Sequence, residues 1–272
     1  MFKQLIVFTV ILFSSTIYSQ SNTKHNFVCP PCNSICDTKT FEKGGKCNAC
    51  NMDLITKEKR NSDVLKALKA KKIKIAFYLQ PGVEVLDFAG PMEVFAYAGY
   101  DVFTVSKTNQ PILSQGILKV TPDYSIKDAP ESNILAFFGG NAHNAYRDKE
   151  VMKWVKNRKN VDIHFSVCTG ALVLAKAGIL DGNTATTFHT ALDGLEKQYP
   201  KIDVRRDVRF VDNGTVITTA GVSAGIDGAL HLVAKLQGLA KAKEVAFYME
   251  YDKWKPGEGL ILTKDNPYKT SK

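Results

Sequence analysis

The chain has 272 residues, 44% hydrophobic and 23% charged, with six cysteines and a formal net charge of +9. That length and apolar content fit one large folded domain with appendages and exclude a disordered or fibrous chain. The positive charge is dispersed, with local clusters at 57–60, 66–74 and 153–159 and no recognition motif, so it reads as a solvated basic surface with no nucleic-acid partner.

Residues 1–20, MFKQLIVFTVILFSSTIYSQ, set Lys3 before an apolar run from Leu5 to Phe13 and then small polar residues. This is the layout of a secretory signal peptide, and it predicts export to the periplasm or beyond. The run is far shorter than the roughly 20 apolar residues that span a bilayer, so no stable membrane anchor is expected after cleavage. Residues 27–55 are cysteine-rich and poor in core-forming side chains. Cys29-Pro-Pro-Cys32 and Cys47-Asn-Ala-Cys50 form two C-x2-C knuckles fourteen residues apart. Four thiolates at that spacing suit tetrahedral Zn2+, with Cys29, Cys32, Cys47 and Cys50 as ligands and a structural role for the ion. A segment this small needs a metal or disulfides to fold. Disulfides are the alternative open to an exported protein. Cys36 is left over in either reading. Both knuckles are followed by asparagine, Asn33 and Asn51, the residue that best tolerates positive φ after glycine. The stretch Gly45-Lys46-Cys47-Asn48-Ala49-Cys50-Asn51-Met52 resembles small heavy-metal-binding, zinc-ribbon-like modules that read GKCxxCGM.

Residues 56–72 read as a charged linker with a helical turn or two around Val64, Leu65 and Leu68. From Ile73 onward, strands predicted at 73–79, 101–106, 134–138, 161–167, 208–212 and 215–219 alternate with helices at 86–98, 148–158, 169–177, 190–198, 224–239 and 241–250. The alternation predicts an α/β domain over 73–250 with a mostly parallel sheet covered on both faces. Asn213-Gly214 between the last two strands signals a hairpin. Residues 251–272 are left as a C-terminal tail.

Ligands of such sheets gather beyond the carboxyl ends of the strands, which directs attention to the residues after Leu79, Phe138 and Val167. Cys168 follows the strand VDIHFSV directly and opens the helical stretch TGALVLAKAGIL. A nucleophile at a tight strand-to-helix turn is thrust outward and faces the N–H groups of the first helical turn. Those groups lower a thiol pKa and stabilise negative charge on a substrate. The competing reading is a buried, inert cysteine. Asp87 interrupts the apolar run Val85-Leu86-Asp87-Phe88-Ala89, so its carboxyl must be paired or protonated if buried, or serve a helix start. Gly139-Gly140-Asn141 supplies backbone that can approach a ligand closely.

The segments LDFAGPMEVF (86–95), FFGG (137–140), SVCTGALVLAKAGILDG (166–182), ATT (185–187) and TTAGVSAGIDGALHLVAKL (218–236), in that order, resemble the DJ-1/PfpI superfamily. The likeness is to its isonitrile hydratase-like branch and to related domains of AraC-type regulators. It implies a flavodoxin-like, class I glutamine amidotransferase-like sandwich, a homodimer, and Cys168 as the nucleophile with Asp87 beside its sulfur. Two such groups in contact share a proton. The resemblance also implies that Thr169 and Gly140 offer anion-stabilising N–H groups and that catalysis needs no cofactor. The implied activity is a cysteine-dependent hydratase that turns a small-molecule isonitrile and water into an N-substituted formamide. Glyoxalase-type chemistry on dicarbonyls is the enzymatic alternative, and a redox- or metal-responsive binding protein is the non-enzymatic one.

The chain departs from the pattern in two places. Many relatives of this branch read ATTHW where this chain reads Ala185-Thr186-Thr187-Phe188-His189, so the family role of the imidazole does not carry over to His189, which is expected at a surface or interface. Thr169, rather than histidine, follows the nucleophile, which argues against a Cys-His protease pair. The export signal and the absence of a DNA-binding motif argue against the regulator reading. Asp227 reads as a structural acid near a helix start, and His143, His164 and His231 as surface or core residues.

Overall fold

The computed structural model of the chain describes residues 27–30, 36, 39–68 and 72–268. The expected signal peptide and Cys32 lie outside them. The chain opens with a small antiparallel ribbon in which β1 (Phe27–Val28) pairs with both β2 (Thr40–Phe41) and β3 (Ile55–Thr56). Helix α1 (Lys57–Leu68) follows directly. The charged linker is therefore a 12-residue helix, longer than the turn or two its sequence predicts. A helix this short is marginal by itself, and tertiary contacts hold it. Asn61 Nδ2 donates to Asn213 O at 3.0 Å, and Lys264 Nζ pairs with Glu58 at 2.8 Å.

The domain continues through β4 (Lys74–Tyr78), α2 (Val85–Tyr97), β5 (Asp101–Ser106), the hairpin β6 (Ile112–Ser114) and β7 (Leu118–Val120), and β8 (Tyr124–Ser125). Next come β9 (Ile134–Phe137), α3 (His143–Tyr146), α4 (Lys149–Asn157), β10 (Ile163–Val167), α5 (Ala171–Lys176) and β11 (Thr184–Ala185). The chain ends with α6 (Leu192–Gln198), β12 (Asp203–Val204), β13 (Phe210–Asp212), β14 (Val216–Thr219), α7 (Ala224–Gln237), α8 (Leu239–Tyr248) and β15 (Leu260–Ile261). The main sheet has eight strands in the order β15-β13-β14-β10-β9-β4-β5-β8. Every neighbouring pair is parallel except β13 and β14.

Successive side chains of one strand enter opposite cores. Ile75, Phe77 and Leu79 pack with residues of α2, α7 and α8, whereas Ala76 and Tyr78 pack with those of α4, α5 and α6. Burial on both faces is why these strands read as unbroken apolar runs. Asp148 caps α4, accepting from Glu150 N and Val151 N.

Two features differ from the sequence expectation. Residues 251–268 are not a loose tail, since β15 adds an edge strand beside β13 and Tyr268 OH lies 3.0 Å from His231 Nδ1. In the β13–β14 hairpin Asn213 N donates to Val216 O at 3.0 Å, which puts Gly214 and Thr215 at the corners. Gly214 takes φ of 102°, the positive value its corner requires, and Asn213 turns its side chain to Thr184 instead.

Candidate functional site

The carboxyl ends of β4, β9 and β10 converge on one rim of the sheet. Cys168 follows β10 with φ of 57°, a left-handed conformation that is strained for a residue other than glycine. Its N–H donates to Ala220 O at 2.9 Å and its carbonyl accepts from Thr187 Oγ1 at 2.7 Å, so the elbow is tied down on both sides. A 3₁₀ turn over Cys168–Gly170 then leads into α5. Gly170 has to lack a side chain, because a Cβ there would sit 2.3 Å from Phe137 O.

Asp87 lies in the first turn of α2 and is fully buried. Its Oδ2 accepts from Gly139 N at 2.8 Å and its Oδ1 from Val222 N at 3.1 Å. Asp87 and the Cys168 sulfur share a hydrogen bond. A side chain at Gly139 would fill the space between them, with its Cβ 2.6 Å from Sγ and 2.7 Å from Oδ2. Buried Gln80 steadies this turn, its Nε2 donating to Phe138 O at 3.0 Å and Gly139 O at 2.9 Å.

Burial pushes the Asp87 carboxyl up to about 7, and the N–H groups of Gly139 and Val222 offset only part of that shift. Burial, then the nearby Asp87 charge, pushes the Cys168 thiol up to about 12, against the opposing pull of the Thr169 and Gly140 N–H groups. The expected low-pKa thiolate is thus corrected. The elbow amides are in place, but the thiol of a cysteine only 5% exposed, beside a carboxylate, keeps its proton. Above about pH 7 the pair carries one proton and one negative charge, and the titration belongs to the pair rather than to either residue.

A second cluster lies in the ribbon. The Sγ atoms of Cys29, Cys36, Cys47 and Cys50 all lie within 4.8 Å of one another. Cys29 and Cys50 are 3.1 Å apart and Cys36 and Cys29 are 3.7 Å apart. Four thiolates about 2.3 Å from a central ion have edges of about 3.8 Å, so the set fits tetrahedral coordination. A disulfide would need sulfurs about 2.05 Å apart. A hydrogen bond from Cys29 leads the contacts that hold Cys50 down at about 6, which favours the thiolate a metal needs. Three of the four predicted ligands, Cys29, Cys47 and Cys50, are therefore brought together. Cys36, which the spacing left over, lies in the same cluster, while Cys32 lies outside the described residues. Asn51 takes the positive φ expected of it, 59°, and its N–H donates to Cys47 O at 2.8 Å.

Residues 73–235 match the family described as DJ-1/PfpI, and residues 26–57 match the heavy metal binding domain. The chain belongs to the DJ-1/PfpI family. Isonitrile hydratase of Pseudomonas putida is 34% identical over 182 residues, which span 66% of this chain and 78% of that protein. The HTH-type transcriptional regulator CdhR of Pseudomonas aeruginosa is 29% identical over 62% of this chain, which spans about half of the regulator, 52%. The crystal structure of a ThiJ/PfpI family protein from Pseudomonas syringae superposes with a TM-score of 0.64 at 30% identity, covering 68% of this chain and 78% of that one.

The DJ-1/PfpI domain brings together all four residues singled out for chemistry. Thr169 and Gly140 present their N–H groups to the Cys168 sulfur, and Asp87 lies beside it. The Thr169 hydroxyl points to Gly140 O at 3.4 Å. Gly139 was noted only as backbone that can approach a ligand closely, and Val222 and Gln80 were not singled out. Val222 stands 135 positions from the carboxylate it supports, and only its φ of 51°, an outlier for a β-branched residue, marks it. His189 is exposed and lines an open cleft beside Phe188. Asp227 is structural, held by Arg209 Nε at 2.6 Å and Tyr251 OH at 3.1 Å. Among the described residues no helix is long and apolar enough to cross a membrane.

Proposed function

We propose that the DJ-1/PfpI domain is a cysteine-dependent hydratase that converts an isonitrile, R–N≡C, and water into an N-substituted formamide without a cofactor. The observation that carries this reading is the Cys168–Asp87 pair, one proton between a sulfur and a fully buried carboxyl, with two backbone N–H groups on the sulfur. The terminal carbon of an isonitrile needs both a nucleophile and a proton, and this pair offers both within one hydrogen bond.

In the first half-reaction the sulfur bonds to that carbon and one C–N π bond breaks. The thiol proton passes through Asp87 to the same carbon, giving a thioimidate. Water then adds to this carbon, with one of its protons going to nitrogen. The C–S bond breaks, the formamide leaves, and the remaining hydroxyl proton returns through Asp87 to the sulfur. The N–H groups of Thr169 and Gly140 stabilise negative charge on the sulfur in both halves. Similarity to the Pseudomonas putida isonitrile hydratase supports the same chemistry. A raised, buried thiol weighs against peroxide sensing, which favours an accessible thiolate.

The proposal extends to the rest of the chain: export by residues 1–20, a homodimer acting on small molecules without nucleic acid, and Zn2+ as the structural ion of the ribbon. The test is formamide production from a simple alkyl isonitrile by wild type and Cys168→Ala. Product from wild type alone is expected. Product from neither would overturn the hydratase reading in favour of dicarbonyl turnover, and equal product from both would remove Cys168 from the chemistry.

A further inference from the structure

The turn between β14 and α7, residues 220–223, reaches both members of the Cys168–Asp87 pair. Ala220 O accepts from Cys168 N at 2.9 Å, and Val222 N donates to Asp87 Oδ1 at 3.1 Å. One short piece of backbone, which carries no reacting group, therefore helps to place the sulfur and the carboxyl together. To aim its N–H in this way Val222 adopts φ of 51°, a left-handed conformation that is costly for a β-branched residue. Such a conformation persists only where the surroundings over-determine it.

Backbone bonds hold part of the turn, with Ala220 N donating to Arg209 O at 2.9 Å and Gly225 N to Val222 O at 3.2 Å. A side chain covers the rest. A β carbon on Gly221 would lie 2.3 Å from Cδ2 of Phe188, so the ring occupies the place of the missing side chain. Phe188 is itself fixed by its neighbours. Thr186 N donates to Thr218 Oγ1 at 3.0 Å, Thr187 Oγ1 to Cys168 O at 2.7 Å, and Ala191 N to Phe188 O at 2.8 Å. The ring is half-buried, packs against the core cluster that includes Cys168, and also lines an open cleft. Phenylalanine has no proton to exchange, so its contribution at this position is packing.

We propose that Phe188 is a positioning residue: by filling the space over Gly221 it holds the 220–222 turn against the Cys168–Asp87 pair and keeps the Val222 N–H on the carboxyl. The inference rests on the hydratase reading for what the pair does, but not for how the pair is held. The titratable groups that face Asp87 are Glu84, at the start of α2, and Cys168 in the elbow. Burial and then the Glu84 charge push the carboxyl up, whereas the Gly139 N–H, the Cys168 thiol and the Val222 N–H pull it down. Without the ring, Val222 is free to relax and withdraw its N–H, and the carboxyl becomes harder to ionise.

The test is a ¹³C titration of the aspartate carboxyls in the full, metal-loaded chain, with the Asp87 resonance assigned through Asp87→Asn. In the wild type Asp87 should titrate at about pH 7. Phe188→Ala should raise that midpoint by about half a pH unit or more, because a donor to the charged form is lost. Phe188→Tyr, which keeps the ring, should leave the midpoint in place. Gly221→Ala should raise it as well, since the new methyl displaces the ring, but should add nothing in a Phe188→Ala background. The acid limb of kcat/KM for formamide production should move with the midpoint. A midpoint unmoved by Phe188→Ala, moved as far by Phe188→Tyr, or moved equally by Gly221→Ala with and without the ring would overturn the proposal. The expected carboxyl shifts in a chain whose wild type makes no formamide would sink the hydratase reading and leave the positioning role standing.

Discussion

Asp87→Asn should make the folded chain less sensitive to alkaline pH while abolishing formamide production. The buried carboxyl is pushed from 3.8 up to about 7 by the loss of water around it. The folded chain thus holds this proton more tightly than the unfolded chain does. The stabilisation is fully present below about pH 3.8 and is lost as pH rises through about 7. At about 1.4 kcal/mol per pKa unit, this one group costs the wild type about 2–3 kcal/mol between roughly pH 5 and pH 8. Asparagine is nearly isosteric with the protonated carboxyl and has no proton to lose. Its carbonyl can accept from Gly139 N or Val222 N, though not from both as the carboxylate does.

The assay is urea unfolding of wild type and Asp87→Asn at the two pH values. Comparing the two chains cancels the titrating groups that do not interact with Asp87. The stability gap between them should shift by about 2–3 kcal/mol in favour of the asparagine variant on going to the higher pH. Parallel pH profiles would refute the reasoning, because they would mean that Asp87 ionises in the folded chain as readily as in water.

Cys36→Ser should strip the ribbon of its ion in the presence of a mild chelator, as read by metal analysis after gel filtration; full retention of metal would exclude Cys36 from the ligand set. Removing the metal altogether should open Cys29, Cys36, Cys47 and Cys50 to a thiol reagent within the time in which Cys168, buried and held as a thiol, reacts only slowly. Fast labelling of Cys168 would contradict its raised pKa. Gly170→Ala should destabilise the domain by at least about 2 kcal/mol in the same urea assay, since the new Cβ meets a backbone carbonyl of β9 that cannot move aside. An unchanged midpoint would show that the elbow sits farther from the sheet.

Much of the domain could be read from local pattern. The runs IKIAFYL, ILAFF and VDIHFSV are apolar without alternation because both faces of their strands are covered, and this gave the parallel sheet away. Cys168 was legible because a nucleophile elbow is a local event, a strand end followed at once by a helix. Helix α1 was harder to read, since its stability comes from contacts with Asn213 and Lys264 rather than from its own sequence. The nearness of Cys36 to Cys29, Cys47 and Cys50 was not legible, because a C-x2-C template groups cysteines in pairs along the chain, whereas the fold decides which sulfurs meet in space.

The sequence by itself determined the order of strands and helices, the elbow, and the chemical types available at the rim, since each depends on neighbours a few residues away. Only the tertiary structure decided the state of the site. Asp87 takes its hydrogen bonds from Gly139 and Val222, which come from segments 52 and 135 positions away. The proton on Cys168 stays because burial, summed over everything packed around the sulfur, outweighs the elbow amides that the sequence alone would put in charge.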